Sequence, residues 1–130
     1  MKTLNDYRQQ NGLAVLQVSI SLTEASRWHS TDMASRNYFS HTDSSGRDPF
    51  ERMDLFGYSG GARGENIAAG NSSASGTFTQ WKNSSGHNAN MLGSSYRVIG
   101  VGRAYNASSS YKWYWTTGFG STVDKVINIQ

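Results

Sequence analysis

Helix signals fill the first half of this chain, and its clearest strand signals come late, within residues 96–119. That order constrains the fold more than any other feature. Helices followed by a run of strands point to an α+β sandwich, whereas a doubly wound parallel sheet needs strands and helices in alternation. At 130 residues the chain fits one domain with room for a core.

The composition agrees with a folded chain. Only 16% of residues are charged, whereas a chain kept disordered by low hydrophobicity is usually highly charged. Four Trp, seven Tyr and five Phe supply large apolar area to offset the many Ser, Asn and Gly. There is no cysteine, which excludes a disulfide framework, a thiolate metal site and a Cys nucleophile. The net charge is +3, but the basic residues are spread singly, which argues against a nucleic-acid partner. No stretch approaches the roughly 20 apolar residues of a membrane span. The first residues also lack a signal-peptide core, so an exported form is expected to have lost its leader and to carry Met1 in its place.

Local patterns place the elements. Residues 3–10 read as a short helix stopped by Asn11-Gly12. Ser21-Leu22-Thr23-Glu24 reads as a capping box opening a helix to Arg36, with Leu22, Ala25, His29 and Met33 on one face. His29 is therefore expected to be a structural core histidine. Asp48-Pro49-Phe50-Glu51 opens a third helix, which stops at Gly57. Arg63–Ala69 is expected as a strand, residues 77–82 as a helix and residues 83–86 as a loop. Residues 96–105 and 111–119 read as paired strands, with Tyr111, Trp113 and Trp115 sharing a core face. The tail, residues 121–130, reads either as a further strand with Val123, Ile127 and Ile129 on one face or as a linker.

Three residues stand out as chemistry. His41 and His87 sit in small-residue, non-periodic surroundings, and Glu65 is the only acid between Asp54 and Asp124. A carboxylate on a strand beside apolar residues needs a partner. Two imidazoles and a carboxylate form a ligand set for Zn²⁺ or a similar ion, yet no short spacing ties these three together. A hydrogen-bonded structural cluster is the other reading. Ser84 or Ser85 beside His87 is no more than chance in so serine-rich a chain, with no orienting acid assigned. Asp43-x-Ser45-Gly46-x-Asp48 lacks the spacing of a calcium loop and reads as a turn into the Asp48 helix.

The succession Asn5-x-x-Arg8, His29-Ser30-x-Asp32-Met33-Ala34 and Tyr38-Phe39-Ser40-His41 resembles the CAP superfamily, that of cysteine-rich secretory, antigen 5 and pathogenesis-related 1 proteins (the SCP domain). It continues through Arg52, Gly57-Tyr58, Gly64-Glu65-Asn66-Ile67-Ala68, Trp81-x-x-Ser84-x-Gly86-His87-x-x-Asn90-Met91-Leu92, Ile99-Gly100-Val101-Gly102 and Phe119-Gly120. The absence of Cys resembles the short bacterial branch. The resemblance implies an α–β–α sandwich with a central antiparallel sheet, a single domain over residues 1–120 with 121–130 as strand or tail. It also implies a surface cleft lined by two His and two acids, often holding Zn²⁺ or another divalent metal. Carried over, the metal positions fall on His41, His87 and Glu65. The fourth acid falls on Ser84, which leaves one carboxylate fewer beside the cleft. The expectation is a secreted, extracellular or periplasmic monomer that binds a lipid, glycan or protein ligand through a metal-dependent or polar site. The family has no established general catalytic activity; the alternative is a metal-assisted hydrolase with Glu65 as base.

Overall fold

The structure is a computed structural model, and it describes residues 1–127. In chain order the elements are α1 (Lys2–Gln10), β1 (Gln17–Ser19), α2 (Ile20–Arg36), α3 (Pro49–Leu55), β2 (Arg63–Ala69), α4 (Ala74–Lys82), α5 (Ser85–Met91), β3 (Val98–Tyr105), β4 (Trp113–Gly120) and β5 (Val126–Ile127). The strands form one sheet in the order β2-β4-β3-β1-β5. All neighbours are antiparallel except β1 and β3.

Alternation along the central strands separates two cores. Ile99, Trp115 and Phe119 face Leu4 of α1, Trp81 of α4 and Met91 of α5. The opposite face meets α2 and α3 in two smaller clusters: Leu22, Met53, Tyr58 and Val98, and Met33, Ala34, Ile67 and Tyr114. The result is the expected α–β–α sandwich. Gly100 and Gly102 let β3 lie directly on α2, where any Cβ would overlap the backbone at Leu22–Thr23 and Ser26–Arg27. Ser26 and Ser30 of α2 then donate to the carbonyls of those two glycines, at 3.1 and 3.0 Å.

Several elements depart from their sequence signals. The N-cap of α2 is Ser19, whose hydroxyl accepts from Leu22 N at 3.1 Å, so Ser21 lies inside the helix and the expected capping box does not form. The cause is β1, a three-residue strand without a periodic signature that runs straight into α2. Residues 85 and 86, expected in a loop, open α5; its Ser, Gly and Asn residues are poor helix formers, and tertiary contacts hold it. Tyr111 lies outside β4 and is exposed, because Lys112 adopts φ +70° and breaks the extended run. Of the three aromatics expected on one core face, only Trp115 is buried. The Asp48 capping box and Pro49 at the first turn of α3 are as read. Val126 and Ile127 pair with Ser19 and Val18 of β1, while Ile129 lies outside the described residues.

Candidate polar site at the sheet edge

The sequence puts Glu65 in the middle of β2, an edge strand, and the period of two turns it toward the α2–α3 side. Its side chain is 3% exposed, and both carboxylate oxygens are engaged. Oε1 accepts from His41 Nδ1 at 2.8 Å, and Oε2 pairs with Arg52 Nη1 at 2.5 Å. Arg52 projects from α3, is 1% exposed, and reaches three partners. It pairs with Glu65, donates from Nε to Asp43 Oδ2 at 3.3 Å, and donates from Nη2 to the His41 carbonyl. One guanidinium thus fixes the carboxylate and the backbone of the histidine that the carboxylate holds. A planar five-donor fork can do this; an ammonium cannot.

The loop carrying His41 is ordered by two further acids. Asp32 of α2 accepts from Ser44 N and Oγ and from the Tyr38 hydroxyl. Burial pushes its carboxyl up, but these hydrogen bonds and Arg36 outweigh it and leave the pKa below the ordinary carboxylate range. Asp43 accepts from the backbone N–H groups of Ser45 and Arg47, the turn read from sequence, and is likewise lowered against the upward push of burial. His29 is fully buried and donates from Nε2 to the Ser40 carbonyl at 2.7 Å, which makes it the structural histidine expected.

His87 arrives from the other helical layer. Asn66 of β2 donates to the His87 carbonyl at 3.0 Å, and Asn90 of α5 donates to the Glu65 carbonyl and to Asn66 Oδ1. These bonds lash α5 to the sheet edge and explain why Glu65-Asn66 and His87-x-x-Asn90 occur as pairs. The His87 ring lies 6.4 Å from the Trp81 ring. Burial and then the neighbouring His41 push its pKa below the ordinary value. Its Nδ1 is buried and has no partner among the described residues. Ser84, at the N-cap of α5, makes no side-chain cap bond.

The structure therefore joins His41 to Glu65 directly and ties the His87 backbone to the same edge strand through Asn66. Sequence reasoning gave no site role to Arg52, Asn66 or Asn90, and read Asp43 only as part of a turn. The one usable signal was the need of a lone strand carboxylate for a partner. The donor set also bears on a divalent ion. With Oε1 on His41 and Oε2 on Arg52, Glu65 has no unengaged oxygen, and a guanidinium stands beside it. Among the described residues no group of three His, Cys, Asp or Glu is arranged to hold a metal. A His41–Glu65–His87 ligand triad does not fit this geometry unless Glu65 leaves Arg52.

The profile of the cysteine-rich secretory protein family, CAP, matches residues 1–119. The chain belongs to the CAP family. Its sequence is 37% identical over 115 residues to the uncharacterized protein YkwD of Bacillus subtilis, covering 88% of this chain and 43% of that protein. The uncharacterized membrane protein YlbC of the same organism is 34% identical over 98 residues, 75% of this chain and 28% of its own length. The CAP chain thus spans less than half the length of these curated relatives. Among solved structures, an extracellular SCP-domain protein of Bacillus anthracis superposes with a TM-score of 0.80 at 29% identity, over 92% of this chain and 38% of that one. An outer surface protein of Borrelia burgdorferi gives 0.83 at 18% identity, over 94% and 89%, a likeness of fold. No helix among the described residues is long and apolar enough to cross a membrane.

Proposed function

We propose that this CAP domain is an exported binding module whose polar site, His41 and His87 over a Glu65–Arg52 base, recognises a ligand by imidazole hydrogen bonding. One observation carries the reading: Glu65 is saturated by His41 and Arg52. A carboxylate so held neither takes a proton from water nor polarises a substrate; it orients. Because His41 Nδ1 donates to Glu65, its Nε2 is the free nitrogen, on a side chain that is 48% exposed. The extracellular SCP-domain relative supports export. A lipid, glycan or protein ligand fits the same reading.

A second reading, capture of Zn²⁺ or another divalent ion, is favoured by the carboxylate behind His41, since histidines that ligate metals commonly donate their other nitrogen to such a group. In that reading His41 and His87 would hold the ion, and Glu65 would orient His41. The hydrolase alternative loses its base, because Glu65 is committed to Arg52.

Calorimetric Zn²⁺ titration of chelator-stripped protein near neutral pH, beside a folded His41→Ala, His87→Ala double variant, separates these readings. The expected result is no saturable Zn²⁺ isotherm; an isotherm lost in the double variant and fading as pH falls below about 6.5, where imidazoles protonate, would carry the second reading instead. Tight binding, abolished as well by Glu65→Gln, would overturn the orienting role of Glu65. Turnover of ester or peptide substrates that requires both Zn²⁺ and Glu65 would overturn the binding-module reading.

A further inference from the structure

One end of the sheet presents aromatic and basic side chains to solvent. Residues 99, 101, 103 and 105 of β3 share the face packed by α1 and α4. Along that face Ile99 is buried and Val101 half-buried, whereas Arg103 and Tyr105 are exposed. On β4, Trp115 is buried and its indole donates to the Asn71 carbonyl at 2.7 Å, while Trp113 at the hairpin end is half-buried. The cover therefore stops at Trp115 and leaves Arg103, Tyr105 and Trp113 beyond it.

The hairpin register assembles these three into one surface. Tyr105 pairs with Trp113 across the strands, with ring centroids 4.6 Å apart, and Arg103 pairs with Trp115. The Arg103 guanidinium lies 5.1 Å from the Trp113 ring and 5.4 Å from the Trp115 ring. It has no carboxylate partner among the described residues. Two indoles thus hold a cation in place without using the hydrogen-bonding capacity of its planar fork. The turn beyond is ordered and polar. Asn106 N donates to the Lys112 carbonyl at 2.8 Å, Ser109 Oγ to the Asn106 carbonyl at 2.7 Å, and Asn106 Nδ2 to the Ala34 carbonyl at 2.9 Å.

These features decide what the surface fits. A membrane contact would put large apolar side chains at the hairpin tip, whereas the tip here is Asn106-Ala107-Ser108-Ser109-Ser110. An acidic peptide would answer the cation but not the aromatic pair. A sugar ring bearing a carboxylate answers both. Its C–H groups, slightly positive, meet the negative face of an aromatic ring, and its carboxylate meets the guanidinium fork. We propose that Arg103, Tyr105 and Trp113 form a binding surface for an acidic glycan, with a sugar ring on the Tyr105–Trp113 pair and its carboxylate on Arg103. The strands already hold the three side chains together, so binding has little left to order. None of them is a hydrogen-bond partner of His41, Glu65 or His87, which makes this a second surface on the module.

The test is an NMR titration of the isotope-labelled chain with trigalacturonate and with a hyaluronan tetrasaccharide, read at the Trp113 indole N–H and the Arg103 and Tyr105 amides. At least one probe should give saturable shifts confined to this surface. For that probe, methyl esterification keeps the rings and removes the charge. The ester and the variant Arg103→Gln should each weaken binding about tenfold, the worth of one charge-assisted contact. Tyr105→Ala should weaken it by a similar factor, whereas Tyr105→Phe, which keeps the ring, should bind as the parent does. Tyr105 is 53% exposed, so neither change disturbs the core. Triglutamate, which has carboxylates but no sugar ring, should give no saturable shift. His41→Ala should bind the glycan unchanged, so failure here is distinct from failure of the polar site. Saturable shifts from neither glycan, equal affinity for the ester, or an equal response to triglutamate overturns the proposal. Shifts at these residues from phosphatidylglycerol vesicles, with none from the glycans, would assign the surface to a membrane instead.

Discussion

His29 shows how a single side chain sets the acid stability of this protein. Its Nε2–H is committed to the Ser40 carbonyl, so the neutral ring carries its lone pair on Nδ1, a buried atom with no partner among the described residues. Protonation there would place a charge and an unpaired N–H in the core. Burial accordingly pushes the pKa of His29 below the ordinary value of 6.5, with Arg52 adding to the effect and Glu65, the Ser40 carbonyl and Asp43 opposing it. His87 shifts the same way. For a histidine lowered in the folded state, the unfolded chain takes up protons first as pH falls. The stabilisation is complete above about 6.5 and is lost as pH drops through the folded values, at a slope of at most about 1.4 kcal/mol per pH unit for His29. Asp32 and Asp43, also lowered, lose their contribution only further down, below the ordinary carboxylate value of 3.8. Urea melts from pH 8 to pH 5 should show falling stability, and His29→Gln, which keeps a donor toward Ser40, should flatten the decline. Stability that is level or rises toward pH 5 in the parent would contradict this account.

At the scale of elements, the contact between α2 and β3 is the least forgiving joint. Gly100 meets the backbone of Leu22 and Thr23, whereas a Cβ at Gly118 meets only the ends of Met53, Leu22 and Ser26, at 3.3 to 3.5 Å. Backbone cannot move aside as a methionine methyl can. Gly100→Ala should therefore cost about 3 kcal/mol or more, and Gly118→Ala less than about 1 kcal/mol, in equilibrium denaturation. Equal costs at the two positions would mean that the layers are free to separate. The same joint shows why some elements were legible and others were not. Asp48-Pro49-x-Glu51 writes a helix start in local chemistry, and β2 lies between glycines, so both could be read without tertiary information. Residues 17–19 make a strand because Val98 and Ile99 on one side, and Val126 and Ile127 on the other, are there to pair with. The polar segment Ser85–Met91 makes a helix only because Asn66 and Asn90 bind it to the edge strand and Met91 fills the core. For the site, the identities of His41, Glu65 and His87 could be proposed from sequence and resemblance. The role of Arg52 could not, since nothing local to α3 indicates that its guanidinium reaches Asp43, Glu65 and the His41 carbonyl.

Across the whole molecule, buried arginines tie together segments distant in sequence, each in a different way. Arg52 joins two acids and a carbonyl around the polar site, whereas Arg8 has no acid partner among the described residues. It is fully buried on α1 and donates to the carbonyls of Ala14, Met91, Gly93 and Tyr96, so one side chain holds the N-terminal helix, the loop before β1 and the segment between α5 and β3. Asn5 reinforces it by exchanging two hydrogen bonds with the backbone of Leu16, which accounts for the Asn5-x-x-Arg8 spacing. Burial and Arg97 lower the pKa of Arg8, a sign that its charge is borne at a cost offset by carbonyl dipoles alone. Removing the guanidinium leaves those carbonyls without their donor, so Arg8→Ala should cost about 3 kcal/mol. Arg8→Lys should recover little, because a single ammonium cannot span carbonyls that a planar fork reaches in several directions. The damage should also be uneven. The packing of Leu4 in the cluster with Trp115 depends on α1, while β2, β3 and β4 are held mainly by one another and by α2. Amide exchange in Arg8→Ala should therefore accelerate through α1 and residues 91–97 well before it does in β4, whereas uniform acceleration would show that α1 and the sheet unfold as one unit.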